Sequence, residues 1–166
     1  MDFIERIKNI INSGVLDDGF PRISSEGATD DMIEKEEKKL NRSLSNYHKQ
    51  FLRRWNGANL DFIRVYGVHK TENEFIKELA KEYEEWIEEI ISDIEGNPIF
   101  FADDASGTMY FELEDGRIVE LDPEFTGLNV IAEDMQDFFL NYLFGERANE
   151  YMGDEWKQKL KDASII

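Results

Sequence analysis

The sequence predicts an α+β fold, a single domain in which a mainly antiparallel sheet packs against several helices. Apolar residues recur at helical spacing towards both ends of the chain. Between them, short runs of β-branched and aromatic residues alternate with turn residues. This order of helices, strands and helices favours segregated layers around one core. A length of 166 residues suits one domain, which we expect to span residues 1–166.

The first part of the chain is predicted to be helical. Residues 2–12 carry an apolar face, and Asp2 is suited to be the N-cap of this helix. Thr29 is predicted to cap a second helix and Ser45 a third. The third helix is expected to end at Asn56-Gly57, because both residue types tolerate a left-handed backbone. The second and third helices therefore form a helical hairpin.

The middle of the chain is predicted to contain one strand, one long helix and a meander. Residues 60–68 are apolar and β-branched enough for a strand. Residues 71–95 carry a helical stripe of apolar residues, which predicts the longest helix. Strands are expected at 99–102, 108–113 and 118–122, because the turn sequences DASG and EDG separate them.

The C-terminal part is predicted to return to helix after one more strand. Residues 128–132 suit an edge strand of the sheet. A helix is expected to begin at Glu133 or Asp134, since either can cap its first turn. The remaining residues, with Trp156 and Leu160 on an apolar stripe, indicate a terminal helix.

The composition limits the classes of function. The net charge is −18, from 37 acidic and 19 basic residues, so the surface repels nucleic acid and anionic membranes and favours a basic protein partner. The sequence has neither a secretory signal pattern nor an apolar run of about 18 residues, so we expect a cytoplasmic protein. The absence of cysteine excludes disulfides and thiol chemistry.

The acidic stretch ADDASGTMYFELEDG, residues 102–116, has three interpretations: a calcium loop, a phosphoacceptor site or a β-hairpin. A calcium-binding EF-hand loop has glycine at its sixth position, but placing Gly107 there puts Ala102 at the first ligand position. We therefore expect a solvated hairpin that binds no metal. Gly107 supplies a positive φ, and Asp104 or Ser106 accepts hydrogen bonds from turn amides.

The sequence carries no motif for catalysis or for a cofactor. His48 and His69 are its only histidines, and we expect both to be surface or capping residues. It contains no nucleophile elbow, P-loop or dinucleotide-binding glycine motif. The sequence therefore predicts a protein without enzymatic activity and without a cofactor.

The predicted long helix is strongly acidic. Residues 71–95 include ten acidic residues and two lysines. Like charges three or four residues apart cost a helix about a few tenths of a kcal/mol per pair, so fold stability does not explain them. They form either a solvated face or a surface that attracts a basic partner. The carboxylates predicted to bind the partner are Glu74, Glu78, Glu82, Glu85 and Glu89.

An ordered series of residues suggests a family. The first half contains Ile33, Glu37, Leu40 and Trp55-Asn56-Gly57, and the second half contains IFFADDASGTMYFEL, GRIVELD and AEDMQDFFLNYL. Over about residues 29–143 this series resembles the SUKH superfamily of Smi/Knr-type domains, which are common among bacterial toxin-immunity proteins.

The resemblance implies a non-catalytic immunity protein that neutralises a cognate toxin domain by stoichiometric occlusion, a nuclease being one candidate target. The alternative is a regulatory module that binds a host protein. The resemblance leaves the oligomeric state open. It also implies a structural role for the motif residues, including Gly107. From the residues themselves, we expect Glu37 to cap backbone amides or to pair with Arg53 or Arg54.

Overall fold

The structure is a computed structural model that describes residues 2–16, 22–23, 26–68 and 76–166. The α-helices are α1 (Phe3–Asn12), α2 (Asp30–Leu40), α3 (Asn46–Arg54), α4 (Leu79–Trp86), α5 (Met135–Asp137), α6 (Ala148–Met152) and α7 (Asp154–Asp162). The strands are β1 (Arg22–Ile23), β2 (Ala58–Leu60), β3 (Ile63–Val65), β4 (Ile99–Asp104), β5 (Met109–Glu112), β6 (Ile118–Leu121) and β7 (Leu128–Ala132). A 3-10 helix covers Ile91–Asp93, and π-helical turns cover Phe138–Leu143.

The fold is α+β, as predicted. In the described part of the chain the strands form one seven-stranded antiparallel sheet in the order β1-β2-β3-β4-β5-β6-β7. The meander β4-β5-β6 and the edge strand β7 lie where the sequence predicts them. None of the helices among the described residues is long and apolar enough to cross a membrane.

Local capping chemistry fixes the starts of the first helices. Asp2 accepts a hydrogen bond from the amide of Glu5, as predicted for an N-cap. Thr29 and Ser45 cap α2 and α3 in the same way, each accepting from an amide three residues on. Asp134 is the N-cap of α5, whose last turn continues into the π-helical segment.

The predicted single strand at 60–68 is wrong, because the chain turns back within it. β2 and β3 form a tight antiparallel hairpin in which Leu60 pairs with Ile63. Asp61 lies in the turn with a φ of 61°. Aspartate tolerates this left-handed conformation better than the apolar residues around it, so the chain reverses there.

The predicted long helix at 71–95 is also wrong. Residues 71–75 lie outside the described residues, and α4 covers only Leu79–Trp86. The backbone before α4 is extended because the amide of Gly67 donates to Lys77 and its carbonyl accepts from Leu79. After α4, Ile90 leaves helical geometry with a φ of −133°. β-branched isoleucines recur from residue 87 onwards, and they lower the helix propensity there.

The sheet is covered on both faces. On the first face, Phe101 and Tyr110 each place their rings 5.4 Å from the ring of Phe138 in the π-helical segment. On the second face, the rings of Phe100 and Phe111 lie 5.2 Å apart. All five side chains are almost fully buried, so the core runs through both faces of the sheet.

Helix α4 covers the second face. It packs against β4, and its first residue, Leu79, is fully buried. The carboxylate of Glu82 acts electrostatically on Tyr66 and Asp103, which lie on this face. Asp103 also accepts a hydrogen bond of 2.7 Å from the side chain of Arg64, its partner in the β3–β4 register. Helix α4 and the residues that follow it therefore lie against the second face of the sheet.

Candidate partner-binding surface

Most family-motif residues lie in the core. Ile33, Leu40 and Trp55 are between 2% and 4% exposed, so they cannot contact a partner directly. Asn41, which follows this motif, ends α2 with a left-handed φ of 56°. Asparagine can adopt this conformation, which is why it can serve as a helix C-cap residue.

Glu37 binds the backbone but not the predicted arginines. Its carboxylate accepts a hydrogen bond of 2.7 Å from the amide of Leu44 and lies 3.6 Å from the ammonium of Lys49. Arg53 instead bonds to Asp30, and Arg54 lies over the ring of Trp55. Of the two predicted alternatives, the structure therefore shows the capping of a backbone amide and not the pairing with arginine.

Asn56 and Gly57 join the end of α3 to the residues that precede α4. The side chain of Asn56 donates to the carbonyl of Val68 at 2.9 Å and accepts from its amide at 2.7 Å. Gly57 has the predicted positive φ, 85°, whereas Asn56 is not left-handed. A Cβ atom on Gly57 would lie 2.9 Å from the amide nitrogen of Gly67. The motif thus holds the backbone that sets the start of α4.

A buried ionic cluster, which the sequence did not reveal, lies between α3 and β5. The carboxylate of Glu112 is fully buried. It accepts hydrogen bonds from Arg42 at 3.2 Å and from the Ser45 hydroxyl at 2.7 Å, and it lies 3.4 Å from the Nδ1 atom of His48. The prediction that His48 is a surface or capping residue is wrong, since it is 1% exposed. His69 lies outside the described residues.

The pKa of Glu112 reflects a balance inside this cluster. Burial raises the pKa of a carboxyl group, whereas the electrostatic effect of His48 and hydrogen bonds from His48 and Ser45 lower it. The net result is a lowered pKa. The only sequence signal was the period-2 pattern of the strand, which places Glu112 on the same face as the core residue Tyr110.

The acidic stretch forms the predicted hairpin between β4 and β5, but the prediction that its acidic residues are solvated is wrong for Asp104 and Glu112, which are buried. Asp104 accepts hydrogen bonds from the amides of Ser106 and Thr108 and from the hydroxyl of Tyr110. Its oxygens are therefore occupied by the turn itself. Within the described ranges, no group of three or more histidine or acidic residues is placed to hold a metal ion.

Substituting valine for Gly107 should destabilise the protein by about 1–2 kcal/mol, because the backbone there is left-handed. The φ of Gly107 is 92°, and an added Cβ would meet only Pro123 at an ordinary 3.5 Å. The cost therefore arises from the backbone conformation and should appear in urea unfolding at equilibrium. Asparagine at the same position is the matched control and should cost less. Equal stability of the valine variant and the native protein would contradict the turn assignment.

The structure separates the predicted partner-binding carboxylates. Glu74 lies outside the described residues. Glu78 lies 3.6 Å from Lys81, and its side chain is only 15% exposed. Glu82 is buried beside Lys77, and this burial raises its pKa. Glu85 and Glu89 are exposed.

The exposed carboxylates extend beyond the predicted set. We call the exposed acidic residues after Glu82 the acidic segment; its members are Glu84, Glu85, Glu88, Glu89, Asp93 and Glu95. Across the part of the chain that the structure describes, no lysine or arginine forms an ion pair with them. Their charges are therefore available to a partner.

Beside this segment lies apolar surface that the sequence did not reveal. Phe125 is 53% exposed, Leu128 47% and Val130 57%. The ring of Phe125 lies 6.5 Å from that of Trp86, the last residue of α4 and itself partly exposed. The only sequence signal was a charge-free edge strand in a highly charged chain.

These features define an α+β domain with an acidic segment and an exposed apolar surface beside it. Residues 27–141 match the model of the SMI1 / KNR4 family (SUKH-1). The match spans more than half of the chain, and the chain therefore belongs to this family. A search of curated proteins gave no significant match.

Proposed function

We propose that this protein is an immunity protein that binds a cognate toxin domain and blocks it by stoichiometric occlusion. Membership of the SUKH family, many of whose domains serve in toxin immunity, supports the class of function. The observation that carries the choice of surface is the acidic segment, whose charges remain unpaired by neighbouring cations in the described chain. A basic toxin domain, such as a nuclease, has the complementary charge.

The proposed mechanism requires no chemistry from this chain. Carboxylates at the rim of an interface raise the rate of encounter with a cationic partner, and desolvated apolar contacts set how long the complex lasts. An acidic protein that covers a basic active site prevents the substrate from entering. The action is therefore one-to-one binding without turnover.

The direct test is expression of this protein together with the protein encoded next to it. We expect the neighbouring protein to be toxic alone, to lose its toxicity on co-expression and to form a one-to-one complex. The alternative, a regulatory module, predicts instead that the neighbouring protein neither harms cells nor binds. Purified chain that neutralised the toxin at far below equimolar amounts would contradict stoichiometric occlusion.

Reversing four charges of the acidic segment should slow association with the toxin domain strongly at low salt. The variant changes Glu84, Glu85, Glu88 and Glu89 to lysine; Glu78 and Glu82 are kept because both contact lysines and Glu82 is buried. We expect the association rate to fall by about 10-fold or more in surface plasmon resonance. At about 1 M salt, where the Debye length is about 3 Å, the difference from the native protein should shrink.

A second variant with the same net charge controls for overall electrostatics. It changes four exposed acidic residues on α1, α2 and α7 to lysine: Glu5, Glu34, Glu155 and Asp162. We expect this control to slow association much less than the first variant. Equal rates for the two variants would show that the acidic segment is only a solvated face.

A further inference from the structure

The exposed apolar residues near α4 include two on the edge strand β7, Leu128 and Val130. Leu128 pairs with Leu121 and Val130 with Val119 in the β6–β7 register. Val119 pairs in turn with Phe111, which lies on the sheet face that α4 covers. We call the exposed group of Trp86, Phe125, Leu128 and Val130 the anchor patch. The anchor patch lies at the β7 edge of the sheet, on the face that α4 covers.

Phe125 is held in place by its turn although its ring is exposed. Its φ is 59°, a left-handed conformation that is unfavourable for an aromatic residue. The turn enforces this conformation because the amide of Phe125 donates to the carbonyl of Asp122, whose carboxylate accepts from the amides of Glu124 and Thr126. The fold therefore presents a fixed aromatic ring next to Trp86 without burying it.

The neighbouring strand edge is protected against pairing only over its inner half, where a register shift leaves Ile131 unpaired and Arg147 donates to the carbonyl of Ile131 at 2.7 Å. Among the described strands, β7 pairs only with β6. Its residues 128–132 include no charge and no proline, although 34% of the chain is charged. Exposed edge strands commonly carry lysine, proline or a bulge that blocks the addition of another strand. The outer half of β7 has none of these residues and is exposed.

Charge determines which occupant fits this edge. Glu85 and Glu124, both exposed, lie directly beside Trp86 and Phe125 in the sequence, so carboxylates border the patch. A second copy of the chain would bring another net charge of −18 against the same surface. Like charges across an interface disfavour that pairing. A cationic segment with apolar side chains has both complementary properties.

We propose that β7 and the anchor patch bind an extended cationic segment of the partner, which adds to the sheet as a further strand. Alternate residues of a strand point to opposite faces, so apolar side chains on one face contact Leu128 and Val130. Lysine or arginine residues beyond the ends of this apolar run meet the bordering carboxylates, because residues between the apolar side chains point to the opposite face. This inference rests on the proposed function for the identity of the partner.

The test uses a synthetic probe, a peptide of about nine residues that alternates lysine with valine, long enough for one strand. Two control peptides alternate lysine with serine and glutamate with valine. We expect the lysine–valine peptide to bind the full chain at least about tenfold more tightly than either control, as measured by fluorescence anisotropy. It should shift the NMR amide signals of residues 128–132.

Variants of the chain locate the binding. Val130→Lys places a charge on the edge, and Phe125→Asn removes the ring while keeping a residue that tolerates the left-handed turn. Each variant should bind the lysine–valine peptide about tenfold more weakly than the native protein does. Gln158→Lys, on the exposed side of α7, adds the same charge elsewhere and should have little effect.

Several outcomes would overturn the inference. One is that the lysine–serine peptide binds as tightly as the lysine–valine peptide. Another is that the amide signals of residues 128–132 do not change when the peptide is added. A third is that the chain forms a dimer in sedimentation experiments and that Val130→Lys abolishes this dimer. If the neighbouring protein is neutralised normally by the Val130 and Phe125 variants, the inference fails and the proposed function stands. If the peptide binds as expected but the neighbouring protein does not bind, the proposed function fails and the strand-addition site stands.

Discussion

Replacing Arg42 with methionine should destabilise the protein by about 3–5 kcal/mol, because it leaves the carboxylate of Glu112 buried without its cation. Arg42 is 9% exposed and also donates to the carbonyls of Asn97 and Glu112, at 2.7 and 2.8 Å. Burial lowers the pKa of Arg42, while the charge of Glu112 raises it. The measurement is the free energy of unfolding in urea at neutral pH.

Two further variants separate the buried charge from ordinary side-chain loss. Arg117→Met removes an exposed arginine, paired with Asp115, and should change stability little. Replacing Arg42 with methionine and Glu112 with leucine together should restore part of the stability, because the buried pair of guanidinium and carboxylate is then removed as a whole. If the double variant were as unstable as the sum of its single changes, buried charge would not explain the effect.

The pH dependence of stability reports on the same cluster. The folded-state pKa of Glu112 is lowered, so its ionised form contributes stability at pH values above its unfolded pKa of about 4.3. This contribution is lost as the pH falls through the lower folded pKa. The native protein should therefore lose stability more steeply in acid than Glu112→Gln, as followed by urea unfolding between neutral pH and acid.

The parts of the fold that sequence predicts are those decided by nearby residues. The caps at Asp2, Thr29 and Ser45 and the turn at Gly107 need only a side chain and amides a few residues away. The pattern of apolar and turn residues similarly located the strands from β4 to β7. Each of these elements carries its own local signal.

The missed turn at Asp61 is a local signal, whereas the late start of α4 and the burial of Glu82 come from contacts between distant residues. Apolar spacing at 71–95 favoured one helix, but the bonds of Gly67 to Lys77 and Leu79 delay the start of α4. The sequence also gave no sign that Glu82 would be buried, since it follows the same spacing as the exposed Glu85. The exposed carboxylates of the acidic segment therefore belong partly to residues that the sequence analysis did not select.

The exposed apolar surface and the buried cluster around Glu112 likewise depend on contacts between distant residues. His48 and Glu112 are 64 residues apart in the chain and meet only because α3 packs on the sheet. Phe125 is exposed because its turn directs the ring towards Trp86 and away from the core. Whether an aromatic residue is core or interface depends on such placement, which periodicity does not report.

Substituting alanine for Gly57 should destabilise the protein by about 3 kcal/mol or more, since it combines overpacking with a strained backbone. The new Cβ would clash with the Cγ2 atom of Ile76, and it would lie 2.9 Å from the amide nitrogen of Gly67 and 3.0 Å from the carbonyl oxygen of Val65. Two of these atoms belong to the backbone, so they can yield only if the sheet or the start of α4 moves. Thermal unfolding and urea unfolding measure the loss.

Gly116→Ala is the matched control for this prediction. Gly116 has a similar positive φ, 96°, but an added Cβ would meet nothing within 4 Å. It should therefore cost only the backbone term of about 1 kcal/mol, and the difference between the two variants isolates the crowding at Gly57. Since Gly67 fixes the start of α4, a Gly57→Ala protein that still folds should show shifted NMR amide signals in α4, whereas Gly116→Ala should not. Equal losses in the two variants would mean that Gly57 is required only for its φ, and that the close approach to Gly67 does not position the acidic segment.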